Sequence, residues 1–209
     1  MGFSTIIDIL GSMIIGGLLM LTLTRLSDNS ANSEVTWGHD RLVQQEVSNL
    51  ATTIESDFRK MGYSASDEVL DDTTTFIFLA DTSQIIFRAD FDSDGELDKM
   101  NYYLSSTEDL SNTPNERDRI LYRKLNDEQP MIVSTGVTDF YLNYFDTFNA
   151  ELSQPIADNR MIESLRISFR IEDPDAYSEY NEDTGEFEQK YSHAMWSQLR
   201  LTSRNLRKR

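Results

Sequence analysis

Cysteine is absent, which removes disulfides, thiolate nucleophiles and cysteine-based zinc sites at once. It does not exclude an extracytoplasmic location, where disulfides are permitted rather than required. Histidine is nearly absent: His39 and His193 lie far apart, and neither stands at a metal-ligand spacing. His39, beside Trp37, reads as a surface or packing residue. Basic residues are scarce, with 19 Lys and Arg against 36 Asp and Glu, and the net charge is −17. Clustered Lys and Arg supply most phosphate affinity, so no nucleic-acid partner is expected. The one basic stretch, Arg204 to Arg209, reads as a solvated terminus. No Gly-rich phosphate loop, Gly-x-Ser-x-Gly or His-Glu-x-x-His motif is present. Acidic pairs such as Glu172-Asp173 are too common in this chain to mark acid–base chemistry and read as solvated charge. An enzyme is therefore not expected.

What the chain does have is a long apolar start. From Met1 to Leu26 the one acidic residue is Asp8, and Ile9 to Thr24 is uncharged. About 20 predominantly apolar residues span a bilayer core as a helix, so 1–26 reads as a transmembrane segment. A cleaved signal peptide needs a basic start and a small-x-small site. No Lys or Arg precedes Arg25, and Leu23-Thr24-Arg25-Leu26 is not such a site. The segment is expected to stay attached as an anchor. Loop charges give no orientation.

Residues 27–63 read as the amphipathic continuation of this helix. None of the four prolines falls there, and Val43, Val47, Leu50, Ile54, Phe58 and Met61 recur at steps of three and four. Gln44, Glu46, Ser48, Thr52, Glu55 and Lys60 are expected to face solvent. Polar Ser27 to Ser33 is a candidate loosened or kinked joint. Gly62 after Arg59-Lys60 predicts the helix end. One helix of roughly 55–60 residues is expected.

Beyond Gly62 the period changes to 2 or to short apolar runs. Thr74–Leu79, Gln84–Ala89, Leu97–Leu104, Ile120–Leu125, Val137–Phe145, Leu165–Ile171 and Met195–Thr202 read as strands. Ser105 to Arg119 and Asp146 to Asn159 read as loops, and acidic Asp173 to Gln189 as a hairpin or excursion. Strands without intervening helices predict an antiparallel sheet, so 64–209 is a β head with acidic loops and the chain is α+β. Tyr141, Tyr144, Phe145 and Phe148 read as the packing set of one strand rather than a sugar platform.

A spanning helix that runs into an amphipathic half and then an antiparallel sheet resembles the type IV pilin and pseudopilin superfamily. Gly2-Phe3 looks like a prepilin peptidase junction, where cleavage follows Gly and the new N-terminal Phe is methylated. The stretch Asn49 to Tyr63, closing on an acidic residue, an Arg and Gly-Tyr, resembles PilW-type minor pilins and J-type minor pseudopilins of type II secretion. The order that follows is similar too: an aspartate-rich hairpin into Asn101-Tyr102-Tyr103-Leu104, a strand with Tyr122-Arg123, then Val137, Phe140 and Tyr144. The superfamily carries a Glu fifth in the mature chain, whereas counting from Phe3 puts Asp8 sixth. A carboxylate in a spanning helix is costly and normally partnered. The resemblance implies that Asp8 faces the N-terminal amine of a neighbouring subunit. Ser12 and Gly16, four apart, offer a small face for close helix contact. Implied partners are other pilin-like subunits, the inner membrane and a prepilin peptidase, with a periplasmic head before assembly and a filament after it. A single-pass extracytoplasmic binding or sensor module is the alternative.

One loop suggests a metal. Asp90-Phe91-Asp92-Ser93-Asp94-Gly95-Glu96-Leu97-Asp98 places oxygen ligands at positions 1, 3, 5 and 9 of a calcium-loop pattern, with Gly at 6. Position 12 is Asn101 rather than a bidentate Glu, and no helices flank the loop, so an EF-hand is not expected. A plain hairpin turning at Asp94-Gly95, between strands ending at Phe91 and starting at Glu96, is the competing reading. Ca2+ is the candidate ion, with Asp90, Asp92, Asp94, Glu96 and Asp98 as candidate ligands.

Overall fold

The computed structural model describes residues 2–66, 76–175, 177–181 and 184–201. Helix α1 runs from Gly2 to Arg59 without interruption, so the polar stretch Ser27–Ser33 is helical. Ten strands follow among the described residues: β1 Ile77–Ala80, β2 Gln84–Ala89, β3 Asp98–Leu104, β4 Leu121–Leu125, β5 Met131–Ser134, β6 Val137–Phe145, β7 Ser164–Glu172, β8 Tyr177–Asn181, β9 Glu186–Lys190 and β10 His193–Leu201. The fold is α+β, as expected, with every strand pairing antiparallel.

The chain divides into two compact units, Met1–Arg41 and Leu42–Arg209, so the boundary falls inside the segment read as 27–63. The first unit is helix alone, and its apolar side chains from Ile6 to Leu26 are exposed. Each hydroxyl described in this stretch bonds the helix's own carbonyls: Ser12 to Ile9, Thr22 to Leu19 and Thr24 to Met20. Such bonding leaves no hydroxyl needing water, as an apolar medium requires. The helix is long and apolar enough to cross a membrane.

In the second unit the sheets are a five-stranded meander, β1-β2-β3-β4-β5, a three-stranded sheet in the order β10-β7-β6, and the β8–β9 hairpin. The expected single sheet is thus three. The predicted helical stripe is the core: Val43, Val47, Leu50, Ile54, Phe58 and Met61 are all buried, in one cluster with residues of both larger sheets. Phe58 meets Phe87 and Tyr102 at ring distances of 5.0 and 5.3 Å, seating α1 on β2 and β3. Inward-facing Phe140, Leu142 and Tyr144 of β6 alternate with outward positions, as a half-buried strand demands. Leu142 N–H donates to Thr82 C=O, and Tyr144 OH donates to Asp81 C=O, tying the β1–β2 turn to β6.

Three readings need correction. Glu46 does not simply face solvent: its Oε1 accepts from Ser134 Oγ at 2.7 Å. Tyr141 and Phe148 are outside the packing set; Phe148 is 90 % exposed in the turn after β6, while Tyr144 and Phe145 are buried. The acidic excursion is indeed a hairpin, but its approach is not solvated charge, since Glu172 and Asp173 are buried. Thr74, Thr75 and the basic tail lie outside the described residues.

Candidate functional site

The β2–β3 connection is wider than a two-residue turn. β2 ends at Ala89 and β3 starts at Asp98, and the loop carries Ser93 at φ 65° and Gly95 at φ 92°. Short polar residues close it on themselves. Asp92 accepts from Asp94 N–H, Asp94 from Glu96 N–H, and Asp98 Oδ2 from Phe91 N–H. Asp90 is the buried member, at 1 % exposure. Its Oδ2 accepts from Ala65 N–H at 3.0 Å and Gly95 N–H at 3.1 Å, while Oδ1 is buried and makes no hydrogen bond of standard geometry among the described residues. Desolvation pushes the Asp90 carboxyl up, but the amides of Ala65, Gly95, Ser93 and Asp94 outweigh it and hold it below the usual carboxylate range.

Five carboxylates were expected to share this loop as ligands; three converge. Asp90, Asp92 and Asp98 each bring one oxygen within 4.8 Å of the others. Asp94 and Glu96 are exposed and stand outside that group. Among the described ion pairs, none involves Asp90, Asp92 or Asp98. The loop also holds the chain leaving α1. Asp90 N–H donates to Tyr63 C=O, Gly62 N–H to Arg88 C=O, and Lys60 Nζ to Phe91 C=O.

A second polar group lies under the helix. Asp57 occupies the buried face of α1, where its Oδ2 accepts from Tyr102 OH at 2.6 Å and from Arg123 Nε at 2.5 Å. Burial first, then the Asp57 charge, pushes the Tyr102 phenol up, so it stays a neutral donor. The residues quoted above for their resemblance (the acid closing the helix, the Tyr strand and the Arg strand) therefore meet in space. Their bonding was not foreseen. The available signal was an acid in register with the apolar stripe, three residues after Ile54.

A third group surrounds Gly136. Asn115, Asp118, Glu172 and Asp173 are all buried. Glu172 Oε2 accepts from Asn115 Nδ2 at 2.9 Å and pairs with Arg117 at 2.7 Å. Neither Asp118 oxygen makes a hydrogen bond of standard geometry among the described residues; burial pushes its carboxyl up to about 6, with Glu172 and Asp173 adding and the nearby Thr113 hydroxyl opposing. Nothing in the sequence marked Asp118.

In the helical unit Asp8, Ser12 and Gly16 follow one another at steps of four, and all three are exposed on an apolar surface. A Cβ added at Gly16 would meet nothing within 4 Å. Gly2 and Phe3 lie in α1, and their side chains lie outside the described residues. No protein-family model matches this chain, and no curated protein does.

Proposed function

We propose that this chain is a non-enzymatic assembly subunit of the minor pilin or minor pseudopilin kind, held in the inner membrane by α1 until it enters a filament. One observation carries the reading: the uncharged stretch Ile9–Thr24 lies on the same helix whose later turns, Val43 to Phe58, pack into the core of the β head. In lipid the exposed apolar side chains are solvated, and in a bundle of like helices they are packed. Asp8 is costly in the first setting and finds a cation in the second. The head then lies outside the cytoplasm and supplies contacts to neighbouring pilin-like subunits.

Mass spectrometry of the N-terminus of the chain purified from its host tests this. Cleavage after Gly2 with a methylated Phe3 is the expected result. An intact Met1, together with unchanged piliation and secretion after gene deletion, would overturn it in favour of an anchored extracytoplasmic binding module.

A further inference from the structure

We propose that the β2–β3 loop is a divalent-cation site, with Ca2+ as the ion and Asp90, Asp92 and Asp98 as its carboxylate ligands. The inference is independent of filament assembly. Three carboxylates converge from both ends of the loop, each with an oxygen within 4.8 Å of the other two. Three carboxylates on one loop suit Ca2+, which takes six to eight oxygens in flexible geometry, better than Mg2+, which keeps several waters and is usually held by one or two carboxylates. A second observation points the same way. Asp90 is 1 % exposed, and Ala65 and Gly95 N–H both go to its Oδ2, whereas its buried Oδ1 makes no hydrogen bond of standard geometry among the described residues. A buried carboxylate oxygen left bare is costly, and a bound cation removes that cost.

Burial of Asp90 gives the site a fixed floor, and exposed Asp92 gives it an open side through which an ion enters. Water and loop carbonyls are left to complete the six to eight oxygens that Ca2+ takes. Occupancy would have a structural consequence. Because Asp90 also receives Ala65 N–H and donates to Tyr63 C=O, an ion on its carboxylate would clamp the chain leaving α1 to the loop.

The test uses the full chain in detergent, stripped with chelator and titrated with CaCl2 or MgCl2 by calorimetry and thermal melting. One saturable Ca2+ site is expected, with a rise in melting temperature that MgCl2 at equal ionic strength does not reproduce. Asp92→Asn keeps the Oδ1 that accepts from Asp94 N–H, so the ion-free melting temperature should stay within about 1 °C while Ca2+ affinity falls at least about tenfold. Asp94→Asn, outside the triad, should leave affinity unchanged. The absence of a saturable heat overturns the proposal. So does an equal thermal shift in the wild type and both variants, which would report screening of the acidic chain, and so does an Asp94→Asn loss as large as that of Asp92→Asn.

Discussion

Two residues around the β5–β6 turn show how tightly this head is specified. Gly136 sits at φ 76°, and an added Cβ would lie 2.7 Å from the Glu172 carbonyl oxygen. The left-handed conformation alone costs a non-glycine residue about 1–2 kcal/mol, and the clash is with backbone that cannot swing away. Gly136→Ala should therefore lower stability by about 2 kcal/mol or more, read as a fall in denaturation midpoint at unchanged slope. Asp118 makes the opposite case. Its folded pKa, about 6, is raised above the unfolded value of about 3.9. The folded state thus binds the proton more tightly, and the resulting stabilisation is lost as pH rises from about 4 through 6. Asp118→Asn removes the titration. Relative to the wild type it should melt higher at pH 7, by on the order of 1 kcal/mol or about 2–4 °C after allowing for solvent screening, and converge with it near pH 4. A pH series of melting curves checks both sign and window.

At the scale of elements, the helix–sheet join depends on an ion pair as well as apolar burial. Asp57 comes from α1, Arg123 from β4 and Tyr102 from β3, so one carboxylate links three elements. Such a pair gives little net stability over an apolar replacement, but removing one partner leaves a buried charge. Arg123→Met should cost about 3 kcal/mol, at the lower end for buried pairs because the Arg123 side chain keeps 21 % of its surface exposed. The double variant Asp57→Leu with Arg123→Met should recover most of that loss in a double-mutant cycle. These elements also show what was legible. The stripe from Val43 to Met61 was readable because burial on one helix face imposes a period, and β2, β6 and β7 because strand formers ran long enough. β5 was not: four residues behind Pro130, with Met131 and Ile132 exposed at a sheet edge, carry no alternation. The Asp57 link was hidden because a buried ion pair depends on partners 45 and 66 residues away. In the aspartate loop, ligand types were readable from spacing, but which three converge was set by the Ser93 and Gly95 backbone turns.

At the scale of the whole molecule, two chemistries share one helix. The acidic head and the apolar first turns of α1 favour different surroundings, and the proposed function places the first in water and the second in an apolar phase. Asp8 is the one acid in the apolar part, so under the proposed function it is the residue where storage in lipid and entry into a helix bundle would make opposite demands. Replacing it with alanine removes a charge that costs up to about 3 kcal/mol in lipid, less near the membrane edge. Membrane retention should therefore be unchanged or stronger. If assembly uses the carboxylate as a partner for a neighbour's amine, Asp8→Ala should instead reduce copurification with pilin-like subunits at least about tenfold, the loss of one desolvated charge pair. Asp8→Glu should restore a large part of it. Membrane fractionation and cross-linked pull-down of the same three strains read the two effects separately. An alanine variant that stays in the membrane and still copurifies at wild-type levels would leave α1 as an anchor alone.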